Sequence, residues 1–84
     1  MKHYTYQTAG TCSKCIDFDM EDGILHNVVF TGGCNGNLQG IPKLVEGMHA
    51  EEVIRRIKGI SCNGRPTSCP DQLAQACLLA LAEQ

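Results

Sequence analysis

Six cysteines, at positions 12, 15, 34, 62, 69 and 77, fall within a chain of only 84 residues. A chain of this length buries about 60% of the surface its unfolded form exposes, so it sits near the margin of independent stability. Thiols at this density offer the staple that such a chain needs, as disulfides or as metal ligands. The opening stretch, Met1 to Gly10, is polar and carries no apolar h-region. That predicts no signal peptide and a reducing, cytoplasmic setting, where cysteines more often bind metal or do redox chemistry than form structural disulfides.

Composition narrows the functional classes. Seven basic residues against nine acidic ones give a formal charge of −2, which makes no electrostatic case for general nucleic-acid binding. No apolar run reaches the length of a membrane span. There is no tryptophan, and two Tyr and two Phe leave the core to aliphatic side chains.

The first half of the chain reads as β. Tyr4 and Tyr6 share a face of a weakly alternating run from His3 to Thr8. Between Cys15 and Met20 the alternation is clean, with Ile16, Phe18 and Met20 on one side and Cys15, Asp17 and Asp19 on the other. A turn at Glu21-Asp22-Gly23 leads into a run from Ile24 to Thr31, rich in β-branched residues, which predicts an antiparallel hairpin with Tyr4–Tyr6 as a third strand.

The second half reads as α. Leu38, Ile41, Leu44 and Val45 recur at helical spacing up to Gly47. Pro42 lacks the N–H that an interior helical position requires, so this helix either starts near Ile41 or kinks at the proline. A second helix is predicted over about Ala50 to Lys58, with Glu51 and Glu52 at its N-terminal end, Arg55, Arg56 and Lys58 at its C-terminal end, and Gly59 as its stop. Pro70 suits the first turn of a third helix, capped by Ser68 or Cys69, with Leu73, Cys77, Ala80 and Leu81 on its apolar face. The expected fold is α+β: one domain over residues 1–84, with a three-stranded antiparallel sheet followed by three helices packed on one face.

The cysteines sort by position. Cys77 lies on the apolar stripe of the last helix and reads as a small core residue. Cys15 stands on the polar face of its strand. With Cys12 it makes a Cys-x-x-Cys spacing, but the pair precedes a strand and lacks the helix N-terminus that a thioredoxin-type motif requires. Cys12, Cys34, Cys62 and Cys69 instead occupy loops at element ends, with Cys34 and Cys69 at helix starts where thiolate is favoured. Four such thiols brought together would complete a tetrahedral metal site, although their long, irregular spacings are not those of a zinc ribbon.

The residues also carry a resemblance. Thr67-Ser68-Cys69-Pro70-Asp71 spells the motif of the TSCPD domain, and Gly10-Thr11-Cys12-Ser13-Lys14, Gly32 to Gly40, Leu44-Val45-Glu46-Gly47-Met48 and Cys62-Asn63-Gly64-Arg65 extend the likeness over nearly the whole chain. It resembles the small stand-alone four-cysteine group of that family. The group is similar to the C-terminal domain of adenosylcobalamin-dependent ribonucleoside-diphosphate reductases. The resemblance picks out the same Cys12, Cys34, Cys62 and Cys69 and implies a role accessory to ribonucleotide reductase in deoxyribonucleotide synthesis; the four thiols are expected to bind one metal, with zinc in a structural role. The chain is too short to carry that reductase activity itself. A thiol/disulfide electron donor to a reductase is an alternative. The order of elements also resembles iron–sulfur cluster scaffold proteins, which raises an iron–sulfur cluster as another.

Other residues read more plainly. His3 and His49 sit in polar surroundings, and His26 is expected to be partly buried and hydrogen-bonded. The acidic run at Asp17, Asp19, Glu21 and Asp22 lacks the ligand series of a calcium loop and reads as a solvated face. Gly32 to Gly36, with Arg65, could cradle a nucleotide phosphate or a small anion, without matching a phosphate-binding fingerprint.

Overall fold

A computed structural model describes residues 1–11, 13–33, 35–61, 64 and 66–83, with 35–37 as backbone only. Three strands, β1 (Lys2–Gln7), β2 (Ser13–Glu21) and β3 (Ile24–Gly32), form an antiparallel sheet in the order β1-β2-β3. Three helices follow: α1 (Asn35–Val45), α2 (Ala50–Ile57) and α3 (Cys69–Glu83). The predicted α+β architecture is the observed one.

The alternation of β2 fixes the layering. Ile16, Phe18 and Met20 are each at most 1% exposed and face the helices, while Asp17 and Asp19 point outward. The inner face meets Leu25 and Val28 of β3, Val45 of α1, Ala50 and Val53 of α2, and Leu73, Ala76, Cys77 and Ala80 of α3. Tyr4 and Tyr6 close this core from the β1 side, with the Tyr4 ring stacked on Phe18 at 5.5 Å. The β2–β3 turn takes left-handed values at both central residues, φ 52° at Asp22 and 77° at Gly23, which suits the twist of a tight hairpin.

Two departures from simple alternation matter. The β2–β3 register shifts between Asp17 and Asp19, opposite Asn27, which has φ 56°. This bulge lets Leu25 and Val28, three apart in sequence, both enter the core. A second shift, between Ser13 and Cys15, turns Ser13 inward, where it is 5% exposed, and leaves Cys15 on the outer face between Gln7 and Thr31.

α1 begins at Asn35 and runs through Pro42, so the helix starts six residues before Ile41 and holds the proline in its interior. The missing N–H leaves the Leu38 carbonyl without its intrahelical donor. Leu38 and Pro42 both border an open groove of about 450 Å³ against β3. After α1 the chain returns along β3: the Leu25 N–H donates to the Met48 carbonyl at 2.9 Å, and the Gly47 N–H donates to the Leu25 carbonyl at 2.8 Å.

Candidate functional site

The start of α3 is built from its own motif. Ser68 is the N-cap: its hydroxyl oxygen accepts the Asp71 N–H at 3.2 Å, and its carbonyl accepts the Gln72 N–H at 2.8 Å. The same hydroxyl donates to the Ile60 carbonyl at 2.6 Å, fastening α3 to the segment that follows α2. Asp71, 5% exposed, accepts the Gly59 N–H at 2.7 Å and the Thr67 hydroxyl. The Gln72 amide donates to Thr67 Oγ1 at 2.9 Å and accepts the Ala9 N–H at 3.1 Å, reaching the β1–β2 loop. Gly10 in that loop has φ 75°, and a Cβ there would lie 3.0 Å from Thr67 Cγ2.

The electrostatics of this clasp favour the charged carboxylate. Burial is the largest influence on Asp71 and works to raise its pKa. The Thr67 hydroxyl, the Gly59 N–H, Gln75 and the nearby Lys58 together outweigh it, so the group is held below its ordinary value.

Cys69 opens α3 and is 8% exposed. Its thiol donates to Ser13 Oγ at 3.3 Å, and that hydroxyl lies 3.1 Å from Thr11 Oγ1. The other three ligands expected from the sequence, Cys12, Cys34 and Cys62, lie outside the described residues, as does Arg65. Their described neighbours are linked nonetheless. Ser13 pairs in register with Gly32, the Cys69 thiol meets Ser13, and Ser68 is tied to Ile60. Among the described residues, no three His, Cys, Asp or Glu side chains are grouped so as to hold a metal ion.

The remaining cysteines and the histidines are where their sequence surroundings put them. Cys77 is fully buried in the core, and burial pushes its thiol up to about 12. Cys15 is half-buried on the outer sheet face, the opposite side from Ser13 and Cys69. His26 is partly buried, with Nδ1 2.9 Å from Glu46 Oε2, and the other oxygen of Glu46 accepts the Asn27 N–H at 2.8 Å. Exposed His3 lies 2.8 Å from Asp19, whose carboxylate is the main cause raising the His3 pKa. Asp17 accepts the Thr5 hydroxyl at 2.6 Å and Asp19 accepts the Asn27 amide at 3.0 Å, so these carboxylates act as cross-strand acceptors on a solvated face.

Of the two caps the sequence offers, Ser68 and Cys69, the structure uses Ser68, and the rest of the clasp was not expected from the sequence. Thr67, Asp71 and Gln72 join three segments through buried polar contacts, and Ser13 supplies the hydroxyl beside Cys69. One signal was available: Ser-x-x-Asp ahead of an apolar run is a capping-box pattern. The pattern does not reveal that the Asp71 carboxylate turns to Gly59 and Thr67.

A strand hairpin, a helical layer and a polar clasp centred on Thr67 to Gln72 describe a small α+β module whose name motif is itself the joint between sheet and helices. The chain belongs to the TSCPD domain family, which matches residues 2–81. No curated protein and no solved structure matches it.

Proposed function

We propose that the chain is a metal-binding module in which Cys12, Cys34, Cys62 and Cys69 hold one zinc ion, and that it acts as an accessory to ribonucleotide reductase. One observation carries the metal reading: described residues within two positions of all four cysteines are linked through the Ser13–Gly32 pair, the Cys69–Ser13 contact and the Ser68–Ile60 bond. The donor at Cys69 suits a metal. It is a buried thiol in the first turn of a helix, where unsatisfied N–H groups favour thiolate, and it has a hydroxyl neighbour able to hydrogen-bond the sulfur. Four thiolates form a closed structural site for zinc, which would cross-link the loops that bear them. Ser13, Thr67 and Asp71 are the residues that would orient Cys69 within such a site. The link to ribonucleotide reductase is supported by membership of the TSCPD family.

Elemental analysis of protein purified without chelator or metal-affinity resin tests the first part. A colourless protein with one equivalent of zinc is expected. A brown protein with visible absorbance would replace zinc by an iron–sulfur cluster, and a metal-free protein with a fast-reacting thiol pair would replace it by a dithiol donor. The second part is tested by adding the purified chain to an adenosylcobalamin-dependent reductase and measuring turnover. Unchanged turnover with no detectable association would remove the accessory role.

A further inference from the structure

α1, α2 and the start of α3 enclose an apolar groove of about 320 Å³, bordered by Ile60 and Pro70. Eight of its nine lining residues are apolar, among them Ile41, Leu44, Met48, Ile57 and Ile60; the one charged side chain is Arg56. Leu44 is 78% exposed and Ile60 43%, so the apolar surface continues onto the lip beyond the cavity. We propose that this groove docks a peptide segment of a partner protein, one that sets apolar side chains into the groove and a carboxylate against Arg56.

Charge and shape select this occupant. Glu52 shares a single carboxylate between Arg55 and Arg56, which leaves the guanidinium on the groove with donors for a second acceptor. A small apolar acid could fill the cavity but would leave Leu44 and Ile60 in water, whereas a chain segment lying along the lip covers them. A second copy of this chain meets a different obstacle. In a two-fold contact the patch meets only itself, and Arg56 is the one charged side chain lining it, so a second copy brings no carboxylate of the groove to Arg56.

The test is selection from a random peptide library displayed on phage, with the full chain as bait. Enriched peptides combining apolar residues with Asp or Glu are expected. Their binding should fall about tenfold or more in Arg56→Gln, the size of one lost charge-assisted hydrogen bond, and also in Leu44→Asp. It should persist in Arg55→Gln, which alters the same Glu52 pairing off the groove, and in Leu79→Asp, at a leucine of α3 that is 59% exposed. Failure to enrich, enrichment without carboxylates, or binding indifferent to both groove variants would overturn the proposal. So would a dimer in sedimentation that Leu44→Asp dissolves, since the occupant would then be a second copy.

Discussion

The Asp71 carboxylate accepts the main-chain N–H of Gly59 at 2.7 Å, so a side chain in the first turn of α3 closes the end of α2. The bond is charge-assisted and part-buried, made by a carboxylate that is only 5% exposed and that also accepts the Thr67 hydroxyl. We therefore expect Asp71→Ala to destabilise the chain by about 2–3 kcal/mol, with a smaller loss in Asp71→Asn, which keeps one oxygen acceptor. Urea denaturation of the three proteins at neutral pH measures both.

The same carboxylate sets a pH dependence. Its folded pKa lies below its ordinary value of 3.8, so its contribution is fully present above that value and is lost as pH falls through the lower folded one. Stability should therefore fall in acid through this group, and the gap between the native chain and Asp71→Asn should narrow as pH drops below about 4. A gap that stays constant from neutral pH to strong acid would show that Asp71 is not the group responsible.

Gly10 and Thr67 make a paired prediction. Alanine at position 10 meets two penalties, a left-handed φ of 75° and a Cβ 3.0 Å from Thr67 Cγ2. Gly10→Ala should cost about 1–2 kcal/mol. Adding Thr67→Ser removes the methyl and keeps the hydroxyl that Asp71 accepts, so the double variant should recover part of that loss and not all of it. A double-mutant cycle on thermal melts reads the coupling.

The thiols should separate by reactivity and by metal. Cys77, buried and with its pKa pushed up to about 12, should resist alkylation in the folded protein at mildly alkaline pH, while half-buried Cys15 reacts. Cys77→Ala should cost about 1 kcal/mol. Cys77→Asp, which buries an unpaired charge, should unfold the chain. Mass mapping of alkylated peptides and circular dichroism decide these outcomes.

If the four loop cysteines hold zinc, metal binding is linked to folding. Ser substitutions at Cys12, Cys34, Cys62 and Cys69 should each lower both metal content and Tm, and Cys15→Ser should leave metal content unchanged. A strong chelator under reducing conditions should lower the Tm of the native chain. Metal lost from Cys15→Ser and retained in Cys62→Ser would reverse the assignment.

Much of the layering was legible because β2 alternates without interruption from Ile16 to Met20, and because the Asp22-Gly23 turn is a local signal. The bulges were not legible. Whether Asn27 or Ser13 breaks the alternation depends on register against a neighbouring strand, and an alternation pattern within one strand does not encode it. Pro42 misled only about where α1 starts. Its local penalty was visible, while the packing of α1 against β3 that overrides it is a tertiary effect. At the candidate site, the helix start at Cys69 followed from Ser68 and Pro70. Gly59 and Ala9, the distant partners of Asp71 and Gln72, lie 12 and 63 residues away and leave no local trace.

That last separation bears on how the chain folds. The β2–β3 hairpin closes over a two-residue turn, so it forms early and at little entropic cost. The contact between Ala9 and Gln72 spans most of the chain, and closing so long a loop carries its entropy penalty before any reward arrives. The Ala9–Gln72 end of the clasp is thus expected to shut last and open first. Substitutions within it should quicken unfolding while leaving the folding rate nearly untouched, so the family's name motif governs how long the native state lasts more than how fast it is reached.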